Sequence, residues 1–285
     1  MIPIVFDGLV QGLQLSLLAV GITLIYGLGG LLNLAHGQFA VIAGISTAAL
    51  IGHGLRPVLA SALGVAAAGV FGLVVDRSFM LLAYRYTGEE RLLLGLVLTL
   101  GLSFVIDGYL NFRHPNVALT LLLPQPTLTA LGVPIRTASV VASLMAIAAF
   151  VLLAIFLKGT LLGKAVRSII QNEVGAGLCG IDPVRTRTLI VGLSAVMAGL
   201  AGIAQGLFST LGPEMGVEFT ILALIVAVVG GVRSISGTFA AGILLGVVNA
   251  VASYHVGAYL TLVILLAAAT ITILIRPRGM LAYWT

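Results

Sequence analysis

Three polar side chains interrupt a strongly apolar stretch near the start of the chain. Residues 31–40 read LLNLAHGQFA and carry Asn33, His36 and Gln38. A glycine pair, Gly29 and Gly30, precedes them and weakens helix continuity. Because Asn is a favourable N-cap, the pattern predicts a helix break here and a new helix that starts at about Leu34. The three side chains then either line a solute path or hydrogen-bond the backbone groups that the break leaves free.

A second motif resembles a phosphate-binding loop but lacks its spacing. The nucleotide-binding pattern needs four residues between its glycines and ends in Gly-Lys-Ser/Thr. In GTLLGKA, residues 159–165, three residues separate Gly159 from Gly163, and Ala165 replaces the hydroxyl residue. No strand pattern precedes it. The sequence therefore predicts that this chain has no nucleotide site of its own.

The composition is that of a membrane protein. Of 285 residues, 60% are hydrophobic and 8% are charged, with a mean hydropathy of +1.21, whereas soluble domains carry about 25% charged residues. The net charge is +5, but the basic residues lie between apolar runs and form no aromatic-rich patch, which argues against a nucleic-acid partner. The single cysteine, Cys179, excludes an intrachain disulfide.

Nine apolar runs approach the ~20 residues that a membrane-spanning helix needs. They cover residues 8–28, 34–51, 57–76, 92–111, 138–157, 188–208, 217–232, 237–254 and 257–275. The second and seventh are short, so eight spans with one re-entrant run are the alternative. Some runs repeat a small residue at every fourth position, which predicts close helix packing, as in Ala60, Gly64, Ala68 and Gly72. We expect an all-α, polytopic membrane protein with one domain over residues 1–285.

The basic residues predict how the chain is oriented. Loops at 77–91, 158–187 and 233, together with the C-terminus, hold eleven Lys and Arg residues on one side. The other side holds three: Arg56, Arg113 and Arg136. Because cytoplasmic loops are enriched in Lys and Arg, we expect the N-terminus outside and the C-terminus in the cytoplasm. Tyr283 and Trp284 would anchor the end of the chain at the interface.

Few other polar side chains fall inside the apolar runs. Asp107 lies toward the outer end of one run, where it is either functional or reaches the membrane interface. Four amides favour hydrogen bonds between helices: Gln11, Gln14, Gln205 and Asn249. Three histidines lack metal-ligand spacing: His53, His114 and His255. Ser103 and Ser143 have no evident histidine partner for a hydrolase site, so we expect no metal, cofactor or catalytic centre.

The longest cytoplasmic loop, residues 158–187, contains an amphipathic pattern. Apolar residues recur at every fourth position: Val166, Ile170, Val174 and Leu178. The spacing predicts one short helix with an apolar stripe. Gly180 can end this helix, and the Asp182-Pro183 pair prevents its continuation. Such a helix either rests on lipid headgroups or docks into a groove on a soluble partner.

Several segments together resemble a known family. They are GLVQGLQLSLLAVGITLIYGLGGLLNLAHGQFAVIAG, GKAVRSIIQNEVGAGLCGID, GGVRSISGTFAAGILLG and the terminal RPRGM. The most specific parts are LNLAHG and the R-S-x-x-x-N-x-x-x-A-x-x-x-G-I pattern of Arg167, Ser168, Asn172, Ala176, Gly180 and Ile181. Through nearly the whole chain they resemble the permeases of branched-chain amino-acid ABC importers, the LIV type of hydrophobic amino-acid uptake system.

The resemblance implies roles for the residues already singled out. It implies a type II importer-like fold with some discontinuous helices, and it makes the cytoplasmic loop a coupling helix that docks on a separate ATP-binding subunit. The coupling residues are then Gly163, Val166, Arg167, Ile170, Asn172, Val174, Ala176, Leu178, Gly180 and Ile181. The candidate substrate path comprises Asn33, His36, Gln38 and Asp107. No cofactor is implied.

The resemblance also implies partners and a location. The partners are ATP-binding subunits, a second, related permease in a heterodimer, a soluble substrate-binding protein and the lipid bilayer of a bacterial or archaeal cytoplasmic (inner) membrane. Family members for urea, short amides and aromatic acids leave the substrate open. The family usually has Gly where Arg233 stands and often Pro where Ser236 stands. Arg233 is then either an extra inside anchor or the mark of a different substrate.

A secondary carrier or channel for a small solute is the alternative function. Such proteins usually keep charged groups near the bilayer midplane to bind a coupling ion. In this sequence Asp107 is the one acidic residue that the apolar runs place well inside a span, and it is not central. The pattern therefore favours a permease that alternates its access under the action of a separate ATPase.

Overall fold

The computed structural model describes residues 2–114, 121, 127–130, 133–275 and 279. In chain order its elements are α1 (Ile2–Gly29), α2 (His36–Gly52), α3 (Pro57–Val75), a π-helical segment (Asp76–Met80), α4 (Leu81–Ala83), α5 (Gly88–Arg113), β1 (Thr127–Ala130), β2 (Val133–Arg136), α6 (Thr137–Gly159), α7 (Leu161–Gln171), α8 (Glu173–Leu178), α9 (Pro183–Phe208), α10 (Met215–Gly230), α11 (Ile235–Val256) and α12 (Ala258–Ile275). Arg276, Arg278, Tyr283 and Trp284 of the predicted charge pattern and anchor lie outside the described residues.

Each of the nine apolar runs corresponds to a helix. Within the described residues, six helices are long and apolar enough to span a membrane, if α3 is counted together with the π-helical segment and α4. Three apolar helices of this part of the chain are shorter: His36–Gly52, Met215–Gly230 and Leu260–Thr272. The second and seventh runs, which are short in the sequence, are the short helices α2 and α10. The prediction of an all-α, polytopic membrane fold is therefore confirmed.

One small element departs from the all-helical expectation. Strands β1 and β2 form an antiparallel hairpin in the connection between α5 and α6, with Thr127 opposite Arg136. The alternation of Thr with apolar residues in TLTA is typical of a strand. Four-residue strands fall below the length that a search for membrane runs detects, so the sequence analysis missed the hairpin.

Helices α1 and α9 form the centre of the bundle. The apolar window of α1 is 83% buried and that of α9 is 72% buried, whereas the window of α5 is only 22% buried. The outer helices α5 and α6 expose large apolar side chains such as Phe112 and Leu152. In a membrane these faces contact lipid, because only hydrocarbon accommodates so much exposed apolar surface.

The predicted small-residue faces are packing surfaces. Ala60, Gly64, Ala68 and Gly72 are all buried. A Cβ at Gly64 would meet Thr47 of α2, and one at Gly72 would meet Ala195 of α9. Helices α1 and α11 approach in the same way, since a Cβ at Gly12 would stand 2.7 Å from the Ile243 Cα. Close backbone contact of this kind is how membrane helices gain packing energy without a hydrophobic driving force.

Candidate functional site

The polar stretch at 31–40 lies at a break between two helices. Helix α1 ends at Gly29, Gly30 adopts a φ of 62°, and α2 begins at His36. The His36 Nε2 lies 3.0 Å from the Leu18 carbonyl of α1. Leu18 is eleven residues before Gly29, about 16 Å along the helix axis. Helix α2 therefore starts deep within the membrane, which is the discontinuity that the glycines predicted.

Two threonines from other helices satisfy the backbone inside the break. The Leu34 N–H donates to the Thr99 hydroxyl of α5 at 3.0 Å. The Gly37 N–H donates to the Thr220 hydroxyl of α10 at 2.9 Å, and the same hydroxyl lies 3.2 Å from the Leu34 carbonyl. Irregular backbone at membrane depth is tolerated only when protein or trapped water satisfies it in this way.

Asn33 does not cap α2, so that part of the prediction was wrong. The helix begins two residues later than expected, with Ala35 in the N-cap position. The Asn33 Oδ1 instead accepts a hydrogen bond from the Ala35 N–H at 2.9 Å, a local turn that Asn commonly makes. The Thr99 and Thr220 hydroxyls hold Leu34 outside the helix, and no local sequence pattern reveals contacts that arrive from α5 and α10.

His36 fills a slot that a glycine leaves open in α1. The side chain is fully buried, and its Nε2 donates to the Leu18 carbonyl. Its Nδ1 lies 3.5 Å from the Ser194 Oγ of α9. A Cβ at Gly21 would stand 2.6 Å from the imidazole. His36 therefore joins the start of α2 to both central helices.

Gln38 completes a closed polar group. It is fully buried, and its Nε2 lies 3.3 Å from the Ser103 Oγ of α5. Among the described residues, Gln38 Oε1 and Asn33 Nδ2 have no hydrogen-bond partner. Asn33 is only 2% exposed. We call Asn33, His36 and Gln38 the sealed node, because the fold shields all three side chains from the surface.

Asp107 stands apart from the sealed node. It lies one helical turn beyond Ser103 on α5, about 6 Å along the axis, and is half-buried. Its Oδ1 accepts a hydrogen bond from the Asn111 side chain at 3.4 Å. The structure therefore brings together three of the four residues that the sequence grouped as a candidate path.

A second polar group, which the sequence analysis missed, borders an open cavity. Glu218 lies in the first turn of α10, and its side chain is exposed. It borders one cavity of about 550 Å³ and another of about 140 Å³. Other polar residues line one or both of these cavities: Gln11, Gln14, Gln205, Asn249 and Ser253. We call Glu218 with these five residues the open pocket.

Glu218 lies beside the apolar spans of the bundle. The sequence puts it at the edge of its apolar run, and Asp107 was therefore taken as the one acidic residue well inside a span. The structure adds Glu218 as a second candidate. Glu218 shares the smaller cavity with Gln14 and Leu18, near the middle of the Ile4–Gly27 span. Residues 209–214 join α9 to α10, and only the tertiary structure sets where α10 begins relative to α1.

The predicted hydrogen bonds between helices are partly visible in the open pocket. The Asn249 Nδ2 of α11 donates to the Gln11 Oε1 of α1 at 3.0 Å. The Gln14 Nε2 donates to the Ala204 carbonyl of α9 at 3.2 Å. These contacts confirm the prediction for Gln11, Gln14 and Asn249 and leave the pocket edge polar.

The loop at 158–187, which the sequence predicts to be cytoplasmic, forms two helices where the sequence predicted one. Helices α7 and α8 are separated at Asn172, whose backbone is extended. The Asn172 Oδ1 accepts from the Gly175 N–H at 2.9 Å and caps α8, as the Thr160 hydroxyl caps α7 through the Gly163 N–H. The prediction failed because an Asn side chain competes with the helix for backbone N–H groups.

This break divides the predicted apolar stripe. Val166 packs into the core of the chain, while Ile170 is 37% exposed, Val174 72% and Leu178 86%. Gly180, at a φ of 82°, follows the end of α8, and Pro183 begins α9, as the sequence predicted. We call residues 161–181 the coupling segment, after the role that the sequence predicts for them. The side chains of Val174 and Leu178 at its end are exposed and do not pack into the rest of the chain.

The first helix of the coupling segment is fixed to the end of α6. Arg167 donates a hydrogen bond to the Leu157 carbonyl. A Cβ at Gly163 would run into the same carbonyl, so only glycine allows this approach. In this conformation Arg167 therefore secures α7, although the sequence suggested that it reaches a partner's carboxylate.

A charged cluster ties the second helix of the coupling segment to the membrane helices. Glu173 of α8 forms ion pairs with Arg91 of α5, at 3.5 Å, and with Arg187 of α9. The Arg187 guanidinium lies 4.6 Å from the Tyr84 ring centroid, and burial raises the pKa of the Tyr84 phenol, which stays neutral. Arg91 also donates to the Gly29 carbonyl at 3.3 Å. The cluster therefore connects α8 to the end of α1, where the break begins.

Discontinuous helices and a polar cavity between membrane helices are typical of a membrane transport protein. A family model described as "Branched-chain amino acid transport system / permease component" matches residues 4–274. The chain belongs to this family and is a multi-pass membrane permease component.

Individual relatives are similar in sequence to this chain over almost its whole length. The permease protein LivH of the high-affinity branched-chain amino acid transport system of Escherichia coli (strain K12) is 27% identical, over 97% of this chain and 94% of its own. BraD of Pseudomonas aeruginosa, named as a permease of the same kind, is 28% identical over 96% and 94%. Among solved structures, PsaBC from Streptococcus pneumoniae in complex with Fab has a TM-score of 0.53 at 12% identity and covers 95% of this chain and 91% of its own. That likeness concerns the fold.

Proposed function

We propose that this chain is the permease subunit of an ABC importer for branched-chain or other hydrophobic amino acids. A separate pair of ATP-binding subunits drives its alternating access, a soluble binding protein delivers the substrate, and a second, related permease completes the path as a heterodimer. Residues 1–285 form one transmembrane domain in this proposal. The family and the names of relatives such as LivH and BraD support it.

The exposed apolar end of the coupling segment is the observation that carries the proposal. Leu178 is 86% exposed and Val174 is 72% exposed on the side of the bundle with the excess of basic residues. Fully covering such a side chain stabilises a complex by about 1.5–3 kcal/mol. A groove on an ATP-binding subunit would cover both residues, and the Glu173 cluster would transmit its movement to the end of α1.

The same proposal assigns a structural role to the sealed node. Asn33, His36 and Gln38 are buried against helix backbone and hydroxyl groups, which supports the interpretation that they hold the start of α2. The open pocket then borders the substrate path. Asp107 lies near the outer end of α5 in this proposal and would act at the outer mouth of that path.

The proposed orientation has the N-terminus outside and the coupling segment in the cytoplasm. The helix order supports it, because Arg56, Arg113 and Arg136 lie at one end of the bundle and Lys164 lies at the other. Gln171→Cys on a Cys179→Ser background should react with an impermeant thiol reagent only in inverted vesicles. Labelling in intact cells would show that the chain has the opposite orientation. Exposed Arg233, at the same end as Lys164, would serve as an inside anchor.

A secondary carrier remains the second candidate because Glu218 provides the mid-depth carboxylate that such carriers use. Reconstitution separates the two. Vesicles that contain both permeases and the ATP-binding subunits should take up L-leucine only with the binding protein and ATP. Uptake driven by an ion gradient without ATP would instead establish a carrier. The isolated chain should neither bind nor hydrolyse ATP.

Leu178→Glu tests the docking surface directly. A charge placed in a covered apolar contact should lower the affinity for the ATP-binding subunit at least tenfold, measured by co-purification at several protein concentrations. The neighbouring exposed Cys179, changed to Ser, is the matched control and should keep wild-type affinity. Equal affinities of the two variants for the ATP-binding subunit would show that the coupling segment does not dock there, and would favour a helix that rests on the lipid surface.

A further inference from the structure

The open pocket contains a carboxylate whose position demands an explanation. Glu218 is exposed on the surface of the isolated chain, at the depth of Gln14 and Leu18. An acidic side chain within a bilayer is costly if it faces hydrocarbon. This surface of α1, α10 and α11 therefore faces water or another subunit when the protein is in its membrane.

Glu218 lies in the first turn of α10, where the helix N-terminus favours a negative charge, but no cationic side chain of the described cavity lining neutralises it. Among the described residues that line the two cavities, none is Lys, Arg or His. The nearby amides of Gln11 and Asn249 bond to each other. A carboxylate without an internal cation offers its acceptor oxygens to a positively charged group that enters the cavity.

The rest of the cavity wall is aliphatic. Ile221, Leu222, Leu262 and Leu265 line the larger cavity. Its volume of about 550 Å³ lies within the ~300–1,000 Å³ that small-molecule sites usually have. One wall therefore suits an ammonium group and the other suits an apolar side chain, and both belong to the same cavity.

We propose that the open pocket is a transient substrate subsite in which Glu218 receives the ammonium group of the transported solute. The aliphatic wall receives the side chain, so the ligand class is an amphiphilic primary amine of amino-acid size. This inference rests on the proposed function and specifies which residue of this chain contacts the substrate.

The first experiment measures uptake of L-leucine by the reconstituted transporter with its binding protein and ATP. Glu218→Gln keeps the shape and loses the charge, and we expect at least a tenfold lower uptake rate. Glu214→Gln, four residues earlier and also exposed, is the matched control and should keep the wild-type rate. If the wild-type transporter itself takes up no leucine, the proposed function fails. If wild type and Glu218→Gln are equally active, only the subsite is refuted.

A second measurement separates a binding role from an assembly role. On the Cys179→Ser background, Glu218→Cys should take up L-leucine slowly. A sulfonatoethyl thiol reagent, which restores a negative charge at position 218, should recover part of the uptake rate. A trimethylammonium reagent of similar size should not. Recovery by both reagents, by neither, or loss of the permease pair from size-exclusion chromatography would overturn the proposal and make Glu218 a structural contact.

Discussion

The sealed node and the open pocket are polar groups at similar depth, yet the fold treats them in opposite ways. His36 and Gln38 are fully buried and contact backbone or hydroxyl groups of neighbouring helices. Glu218 is exposed and borders a cavity. The two groups meet at the start of α10, where Gly216 packs against Gln38 and Glu218 follows two residues later.

The fold requires the buried polar group at the helix break, but it does not require the exposed carboxylate of the open pocket. A break in a membrane helix must have its backbone groups satisfied within the protein. Asn33 of the sealed node does this together with Thr99 and Thr220, so we expect the closed polar group at the break to be a condition of folding. Nothing in the packing of α10 requires a carboxylate at an exposed position. Substitutions in the sealed node should therefore affect stability, whereas substitutions in the open pocket should affect transport and leave stability nearly unchanged.

The largest effect should come from filling the slot that holds the imidazole. Gly21→Val would force atoms into the position of His36, because even a Cβ stands 2.6 Å from the ring. We expect no monodisperse protein after detergent extraction, measured by fluorescence-detected size-exclusion chromatography. Gly101→Val, on an exposed face of α5 with nothing within 4 Å of its Cβ, is the control. A folded Gly21→Val protein would show that the node tolerates rearrangement.

A smaller loss should follow removal of one hydroxyl from the break. Thr220→Val deprives the Gly37 N–H of its acceptor, and an unsatisfied buried donor costs about 1–3 kcal/mol. The melting temperature should fall. Thr270→Val removes an exposed hydroxyl that bonds only its own helix at Leu266 and should leave the melting temperature unchanged. Equal shifts for the two variants would mean that the break needs no such support.

Cysteine reactivity tests accessibility itself. On the Cys179→Ser background, Glu218→Cys and Ser253→Cys should react with a polar thiol reagent at least ten times faster than Gln38→Cys. The first two positions border the larger cavity, and Gln38 is fully buried. Comparable rates at all three positions would remove the distinction between a sealed and an open group.

The smallest stability effect should be that of the amide pair in the open pocket. Asn249→Leu removes the hydrogen bond to Gln11, and bonds between membrane helices contribute about 0.6 kcal/mol on average. We expect a melting temperature close to that of the wild type in thermal-shift measurements. A loss of more than 2 kcal/mol would show that the open pocket, like the sealed node, holds the bundle together.

Much of the helical framework could be predicted from local patterns. All nine apolar runs became helices because hydrocarbon thickness sets their length, and Gly180 followed the end of α8 and Pro183 began α9 as expected. The predictions that failed involve contacts between distant residues. Leu34 is held outside α2 by Thr99 and Thr220, residues that lie far away in the sequence.

The sequence by itself determined the membrane class and the position of the helix break, because these depend on composition, spacing and local backbone preference. Only the tertiary structure decided which polar residues are enclosed and which are open. The depth of Glu218 depends on where α10 begins relative to α1, and the burial of His36 depends on a slot at Gly21. Both are properties of helix packing, which apolar periodicity does not encode.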